Sequence, residues 1–292
     1  HYPSLSAGIA YSTIDSDIEG VFLEADAAMY KAKGAGGRRL AVFDKGMKEE
    51  IHFRMRMESE LRHALARGEF CVHYQPVVSM PSGKIVGAEA LVRWRHPERG
   101  LLAAGQFIEE AEEIGLIAEI GELVLSEACE EAASWPGGLQ APVLRVNMAA
   151  EQVCDEDELI LKRVADVLVS TGLPVSRLCL EVTESALIID LDQAVRVLNQ
   201  FRQSGVRLSL DDFGTGYSSL SYLKRLAVDS LKIDKSFVND LAIDNDSVTF
   251  INSILSLAGA LSLDVVAEGV ENQDQVEILA GLGCKRAQGY FF

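Results

Sequence analysis

Polar side chains interrupt the apolar segments of this sequence at positions where strands are predicted to end. They comprise five carboxylates, one amide and one amine: Glu89, Asn147, Glu181, Asp211, Asp212, Lys232 and Glu268. Oxygen ligands without Cys or His favour hard cations such as Mg²⁺ or Mn²⁺. Clustered carboxylates cannot all stay ionised without cations, because like charges raise one another's pKa. The adjacent aspartates allow one carboxylate to bridge two cations. The pattern therefore predicts two Mg²⁺ or Mn²⁺ ions per site and metal-assisted hydrolysis of a phosphoester.

Parallel strands would bring these residues together. From Glu69 onward, short β-branched runs alternate with amphipathic segments, which predicts a largely parallel sheet with helices between its strands. The predicted strands are 70–78, 85–92, 143–148, 178–182, 207–210, 230–233, 264–267 and 287–292. The predicted helices include 106–117, 158–170, 193–203, 247–260 and 273–282.

Eight strands in this arrangement predict an α/β fold, a closed (β/α)₈ TIM-like barrel whose strand ends form one mouth. An open doubly wound sheet is the alternative, although the sequence has no glycine-rich dinucleotide fingerprint. The first two strands are joined by Pro81-Ser82-Gly83, which is too short for a crossover. They must form a hairpin, so the barrel is expected to contain one antiparallel strand.

The residues before the barrel form separate segments. Lys45 to Arg67 carries apolar residues at helical spacing and is followed by Gly68, which predicts a connecting helix. We therefore divide the chain into a partial α/β piece at 1–44, a connecting helix at 45–68 and the barrel at 69–292.

Composition limits the partners. The 27 basic and 44 acidic residues give a net charge of −17, which disfavours binding to a nucleic acid polymer. The five cysteines form no CxxC pair, which suits reduced thiols and a cytoplasmic location. No apolar stretch is long enough to span a membrane, so we expect no membrane contact by this fragment. Because the chain begins at His1, we expect it to be part of a longer protein, in which missing upstream segments could provide a membrane anchor.

The residues of the candidate site also lie in recognisable motifs. Glu89-Ala90-Leu91 followed by Val92-Arg93-Trp94 matches the signature that names the EAL family of cyclic di-GMP phosphodiesterases. The resemblance continues in the family's order across residues 69–292. Its further motifs are Tyr74-Gln75-Pro76, Val146-Asn147, Glu181-Val182-Thr183-Glu184, Asp211-Asp212-Phe213-Gly214-Thr215-Gly216, Leu231-Lys232-Ile233-Asp234, Ala267-Glu268-Gly269-Val270-Glu271 and Gln288-Gly289-Tyr290.

The resemblance implies roles for these positions. The first metal would be held by Glu89, Asn147, Glu181 and Asp211, and the second by Asp211, Asp212 and Glu268. Glu268 would also be the general base, and Lys232 would orient the attacking water. Glu184 resembles the glutamate that anchors the loop from Asp211 to Leu220. The residues that resemble substrate contacts or line the site are Gln75, Leu91, Arg93, Glu271 and Gln288.

Residues 1–44 resemble the end of a GGDEF domain. The match is carried by Ser6-Ala7-Gly8-Ile9-Ala10, by Ala25 to Lys33 and by Gly37-Arg38-Arg39. The glycine-rich signature of that family is absent from the chain, so we expect no cyclase catalysis from this piece. At the other end, the chain stops at Phe292, before the last helix of the EAL family.

Three functions remain compatible with the sequence. One is an active phosphodiesterase that converts cyclic di-GMP to linear 5′-pGpG in bacterial signalling. The others are a catalytically silent cyclic di-GMP receptor and a protein-interaction module. The complete set of metal and base positions favours the enzyme. The resemblance also implies a homodimer formed through the region from Asp211 to Leu220.

Overall fold

The computed structural model describes residues 5–12, 17–34, 39–153, 159–215, 223, 225–241 and 245–292. The chain forms two compact units. One comprises His1–Arg67 and Phe107–Ile114, and the other comprises Gly68–Gln106 and Gly115–Phe292. The first unit therefore includes a short segment that the predicted division placed with the barrel.

The first unit contains a small parallel sheet and three helices. Its strands pair in register from Ala7 with Leu40 to Ile9 with Val42. In chain order its elements are β1 (Ala7–Ile9), α1 (Ile18–Gly34), β2 (Leu40–Val42), α2 (Lys45–Arg67) and α3 (Ile108–Glu113). The helix predicted over Lys45–Arg67 is present with the same bounds.

The second unit is a closed barrel of eight strands. Their order around the ring is β3, β11, β10, β9, β8, β7, β6 and β4, and the pairing of β4 with β3 closes it. A further strand, β5, extends the sheet at β4. The strands are β3 (Phe70–Ser79), β4 (Lys84–His96), β5 (Gly100–Ala103), β6 (Val143–Met148), β7 (Leu178–Thr183), β8 (Arg207–Phe213), β9 (Ser230–Ile233), β10 (Asp264–Ala267) and β11 (Arg286–Ala287).

The closed ring confirms the predicted barrel and excludes the open sheet. The predicted antiparallel strand is β3, which runs antiparallel to both β4 and β11. Its hairpin with β4 turns at Gly83, whose φ of 65° lies in the left-handed region that glycine adopts without strain.

Helices lie between the parallel strands wherever the structure describes the whole connection, as the alternation predicted; most of the connection from β8 to β9 lies outside the described residues. The helices of the second unit are α4 (Ile117–Ser134), α5 (Ala150–Val153), α6 (Leu159–Thr171), α7 (Glu184–Ile189), α8 (Leu191–Ser204), α9 (Lys235–Asn239), α10 (Asn245–Ala260) and α11 (Gln273–Gly281). Among the residues that the structure describes, no helix combines the length and apolarity needed to cross a membrane.

Three elements differ from the predictions. The helix predicted over 106–117 is wrong in extent, because Gly115 at φ 73° separates α3 from the long helix α4. The last strand is shorter than predicted, because β11 comprises only Arg286 and Ala287. Two residues later the chain packs so closely on the backbone of Val270 that a side chain on Gly289 would overlap it. The strand β5 was not predicted from its four residues.

Candidate metal and active site

Four carboxylates of the barrel surround the ammonium group of Lys232. Its Nζ lies 2.7 Å from Glu181 Oε2 and from Glu268 Oε1, 2.9 Å from Asp211 Oδ2 and 3.1 Å from Glu89 Oε2. The Lys232 side chain is 1% exposed, so water contributes little to its solvation. The structure therefore brings together five of the seven residues predicted from the strand ends at one point.

Strand geometry explains this convergence. Side chains alternate between the two faces of a strand, so Glu181 points into the barrel while Leu180 and Val182 pack outward. Asn147 pairs with Glu181 across β6 and β7, at the same level of the barrel. The carboxylates thus reach a common centre from β4, β7, β8 and the residue that follows β10.

A bulge in β8 places the two adjacent aspartates. Leu210 pairs with Leu231 and Phe213 with Ile233, so Asp211 and Asp212 together lie opposite the single residue Lys232. In a regular strand these neighbours would point to opposite faces. Asp212 instead has φ 53°, an uncommon value for a residue other than glycine, and such values concentrate at functional sites. The extra residue lets both carboxylates face the site.

Two amides complete the cluster. Asn147 Nδ2 donates to Glu89 Oε1 at 2.8 Å. Gln288 Nε2 donates to Glu89 Oε2 and to Glu268 Oε1, each at 2.7 Å. The Oε1 atom of Gln288 is buried and has no hydrogen-bond partner among the described residues. Gln288, predicted to line the site, therefore contacts its carboxylates directly.

Burial acts to raise the pKa of each carboxylate in the cluster. At Glu181, Asp211 and Asp212, burial and neighbouring negative charges prevail over Lys232, and the pKa lies above its ordinary value. Burial likewise raises the pKa of Glu268 to about 8. At Glu89 the charge of Lys232 and three hydrogen bonds outweigh burial, so its pKa is lowered. The carboxylates hold the pKa of Lys232 well above its ordinary value despite burial.

These groups fit divalent cations. The carboxylates form two sets, and within each set one oxygen per residue lies within 4.8 Å of the others. The first set is Glu89, Glu181 and Asp211, and the second is Asp211, Asp212 and Glu268. Asp211 belongs to both, as expected for a carboxylate that bridges two ions. Two buried cations, Lys232 and Arg145, contact this cluster of five carboxylates, so its formal charge is negative. All-oxygen donors and excess negative charge are the conditions that Mg²⁺ and Mn²⁺ favour.

Arg145 is a site residue that the sequence analysis missed. Its Nη1 donates to Glu181 Oε1 at 2.6 Å, and the guanidinium is buried. The signal was present in the sequence, because Arg145 lies two residues before Asn147 and so points to the same face of β6. An arginine within an apolar strand should have been assigned to the barrel interior.

The predicted substrate contacts lie on the strands beside the cluster. Gln75 pairs with Glu89 across the hairpin, while Leu91 and Arg93 lie farther along β4. All three are partly exposed. Arg93 Nη1 donates to the carbonyl of Val92 at 2.8 Å. Glu271 is exposed, and the described contacts of the cluster do not include it.

Glu184 contacts the start of the loop that follows β8. Its Oε2 accepts a hydrogen bond from the backbone N–H of Gly214 at 3.4 Å. Gly214 has φ 104°, and a side chain there would lie 3.0 Å from the ring of Phe237. Residues 216–222 and 224 lie outside the described residues, and with them most of the region predicted to form the homodimer.

The cluster predicts a pH dependence of stability. Because the pKa of Glu268 is raised from 4.5 to about 8, the folded state retains a proton that the unfolded state releases between these values. In chelator, this group's stabilisation is complete below about pH 4.5 and is lost as the pH rises towards 8. The melting temperature should therefore fall between pH 5 and pH 8, and fall less in Glu268→Gln. Equal slopes for the two proteins would contradict the assignment.

Comparison with known proteins shows which family this chain matches. The family model described as the EAL domain matches residues 58–292. The chain is 43% identical over 289 residues to the "Bifunctional diguanylate cyclase/cyclic di-GMP phosphodiesterase MucR" of Pseudomonas aeruginosa, covering 98% of this chain and 42% of that protein. It is 40% identical over 292 residues to the "Signaling protein YkoW" of Bacillus subtilis, covering 99% of this chain and 36% of that protein. The chain thus spans less than half the length of these two relatives.

A solved structure agrees with the sequence comparison. The "PaMucR Phosphodiesterase, c-di-GMP complex" superposes with a TM-score of 0.77 at 45% identity, covering 81% of this chain and 95% of that one. The family match includes the whole barrel that carries the carboxylate cluster. The chain belongs to the EAL domain family.

Proposed function

We propose that this chain hydrolyses one phosphodiester bond of cyclic di-GMP to give linear 5′-pGpG. The observation that carries the proposal is the complete carboxylate cluster around Lys232 at the carboxyl ends of the barrel strands. The names of the MucR protein and of its nucleotide complex support the choice of substrate.

Two Mg²⁺ or Mn²⁺ ions would be held by the two carboxylate sets, with Asn147 added to the first. When bound, they supply Lewis acidity that polarises the phosphoryl oxygens and makes water more acidic. The cations also balance the cluster's negative charge, so the carboxylates can remain ionised in the working enzyme.

The protein's own groups position and deprotonate the attacking water. Lys232, whose three N–H donors face four carboxylates in this structure, would orient the water once bound cations draw some of these carboxylates away. Glu268, whose Oε1 lies 2.7 Å from Lys232 Nζ within the cluster, accepts the proton of this water as general base. The water oxygen forms a bond to phosphorus as the bond from phosphorus to the 3′ oxygen breaks. The 3′ oxygen takes up a proton from solvent, and Glu268 releases its proton to solvent, which leaves a 5′-phosphate and a free 3′ hydroxyl.

Substrate contact by Arg93 gives one prediction. Its guanidinium can pair with a phosphate of the dinucleotide, and it lies outside the carboxylate cluster. Arg93→Ala is expected to raise KM about tenfold, equivalent to about 1.4 kcal/mol, with little change in kcat. Steady-state kinetics with cyclic di-GMP provide the measurement. A large fall in kcat at unchanged KM would lead us to withdraw the phosphate contact.

A second prediction concerns Glu184. Because its carboxylate accepts from the Gly214 N–H, Glu184→Ala should release the start of the loop after β8 and displace the adjacent aspartates. A small displacement of catalytic groups costs roughly 10²-fold in rate, so kcat should fall by about that factor. Glu184→Gln, which retains an acceptor oxygen, should recover much of the activity. Equal losses in the two variants would argue against an anchoring role.

The silent receptor and the interaction module make different predictions. Purified chain incubated with cyclic di-GMP and Mg²⁺, followed by chromatography, should yield linear pGpG if it is an enzyme. Bound but unchanged nucleotide would support the receptor. Absence of nucleotide binding in equilibrium dialysis would support the interaction module.

We further propose that residues 1–44 are the remnant of a GGDEF-like domain. The parallel pair β1 and β2 with the intervening helix α1 is compatible with the end of an α/β domain. The name of the bifunctional MucR relative joins cyclase and phosphodiesterase activities in one protein. We also propose a homodimer, which sedimentation of the purified chain would test.

A further inference from the structure

Arg145 divides the two oxygens of Glu181 between different partners. The guanidinium holds Oε1 at 2.6 Å, whereas Oε2 faces Lys232 at 2.7 Å. Both side chains are almost fully buried, and in these surroundings the attraction between their opposite charges is stronger than it would be in water. The carboxylate therefore presents one oxygen to the cluster and one to Arg145.

The barrel interior is shaped to hold this arginine. On the neighbouring strand β4 lies Gly87, and a side chain there would approach the Nε of Arg145 to 3.6 Å and the Val143 carbonyl oxygen to 3.1 Å. Arg145 also lines a cavity of about 580 Å³ beside residues at the amino-terminal ends of the barrel strands, such as Val143 and Ser230. The packing at Gly87 and the hydrogen bond to Glu181 together define the position of the guanidinium.

The charge on Arg145 keeps the Oε1 contact in place. A guanidinium is not deprotonated in proteins, and a charge-assisted hydrogen bond of this length is among the stronger kinds. To coordinate a cation through both oxygens, Glu181 would have to abandon this contact and leave a buried guanidinium without its partner. Loss of one partner of a buried ion pair is strongly unfavourable.

We propose that Arg145 is a positioning residue that restricts Glu181 to coordination through a single oxygen and thereby favours Mg²⁺ or Mn²⁺ over Ca²⁺. Ca²⁺ takes six to eight oxygens and often binds a carboxylate through both, while Mg²⁺ requires a compact octahedron of single contacts. This inference deepens the proposed function and rests on its metal site.

Metal titration without nucleotide tests the proposal. Isothermal titration calorimetry of the intact chain with Mn²⁺ and with Ca²⁺ gives the ratio of the two affinities. Arg145→Met removes the donor while keeping an unbranched side chain, and should shift this ratio towards Ca²⁺ by about tenfold, the scale on which such supporting contacts act. Arg145→Lys retains a cation and should restore part of the wild-type ratio.

Arg177→Met is the matched control. Arg177 is also a buried arginine, in the turn that precedes β7; its Nη2 donates to the Pro142 carbonyl at 3.1 Å, and its described contacts include no cluster carboxylate. Its loss should leave the ratio of affinities unchanged. Melting curves in chelator establish that each variant is folded before titration.

The outcomes separate this inference from the proposed function. A wild-type chain that binds neither ion would overturn both the metal site and the role of Arg145. Metal binding by the wild type, with an unchanged affinity ratio in folded Arg145→Met, would overturn the role of Arg145 alone. If the affinities for Mn²⁺ and Ca²⁺ fell by the same factor, this would also count against the role of Arg145, because a merely structural role predicts that result. Should Arg145→Met not fold, the ratio in Arg145→Lys decides. A ratio equal to that of the wild type in folded Arg145→Lys would refute selection through the hydrogen bond from Arg145 Nη1 to Glu181.

Discussion

Glu268→Gln is expected to reduce the hydrolysis of cyclic di-GMP by at least about 10²-fold, the lower end of what general-base catalysis contributes. Glutamine preserves the size of the side chain and one acceptor oxygen, but it cannot take up the proton of the attacking water. The substitution also removes one anionic member of the second carboxylate set. Both losses act on the chemical step, so kcat should fall more than substrate affinity.

The variant should remain folded. Gln288 Oε1, which has no hydrogen-bond partner among the described residues, can accept from the new amide group. Removing a carboxylate from a cluster with excess negative charge relieves repulsion, so the melting temperature in chelator should fall little or rise. If the variant kept more than about a tenth of the wild-type activity, Glu268 would not be the general base, because loss of the base should cost at least about 10²-fold.

Removal of divalent cations is expected to abolish turnover. The cations would supply the Lewis acidity that polarises the phosphoryl oxygens and makes water more acidic, and the two carboxylate sets that would hold them offer no substitute for it. Excess chelator should eliminate product formation, and added Mg²⁺ or Mn²⁺ should restore it. Ca²⁺ should bind yet support turnover poorly, because its longer and looser coordination misplaces the attacking water.

The measurement is the initial rate of pGpG formation in each metal after exhaustive chelation. Heat-treated protein in the same buffers controls for hydrolysis by free metal. Equal rates in Ca²⁺ and Mg²⁺, or undiminished turnover in chelator, would count decisively against the two-metal proposal.

The barrel and much of the cluster could be predicted from the sequence because they depend on simple periodicities. Alternating strands and helices imply parallel strands, and the ends of such strands share one mouth. Glu89, Glu181 and Lys232 lie on predicted strands, so their convergence follows from alternation along each strand and register between strands. The hairpin likewise followed from the short connection at Pro81.

Other features depend on the folded backbone. The joint placement of Asp211 and Asp212 needs the bulge in β8, which local sequence does not encode as a periodic signal. The break before α4 depends on the backbone conformation at Gly115, which reads from sequence only as a tolerated glycine in a helical pattern. Strand alternation alone could have assigned Arg145 to the barrel interior, but its partner Glu181, 36 residues away along the chain, is identified only by the fold.

The most direct test of the central claim is hydrolysis of cyclic di-GMP in water enriched in ¹⁸O, with Mg²⁺ and with Glu268→Gln as the matched control. Mass spectrometry of the products identifies where the water oxygen enters. We predict linear pGpG with one ¹⁸O atom in its 5′-phosphate from the wild-type chain, and almost none from the variant. Recovery of cyclic di-GMP, bound but uncleaved by a folded wild-type chain, would contradict the account.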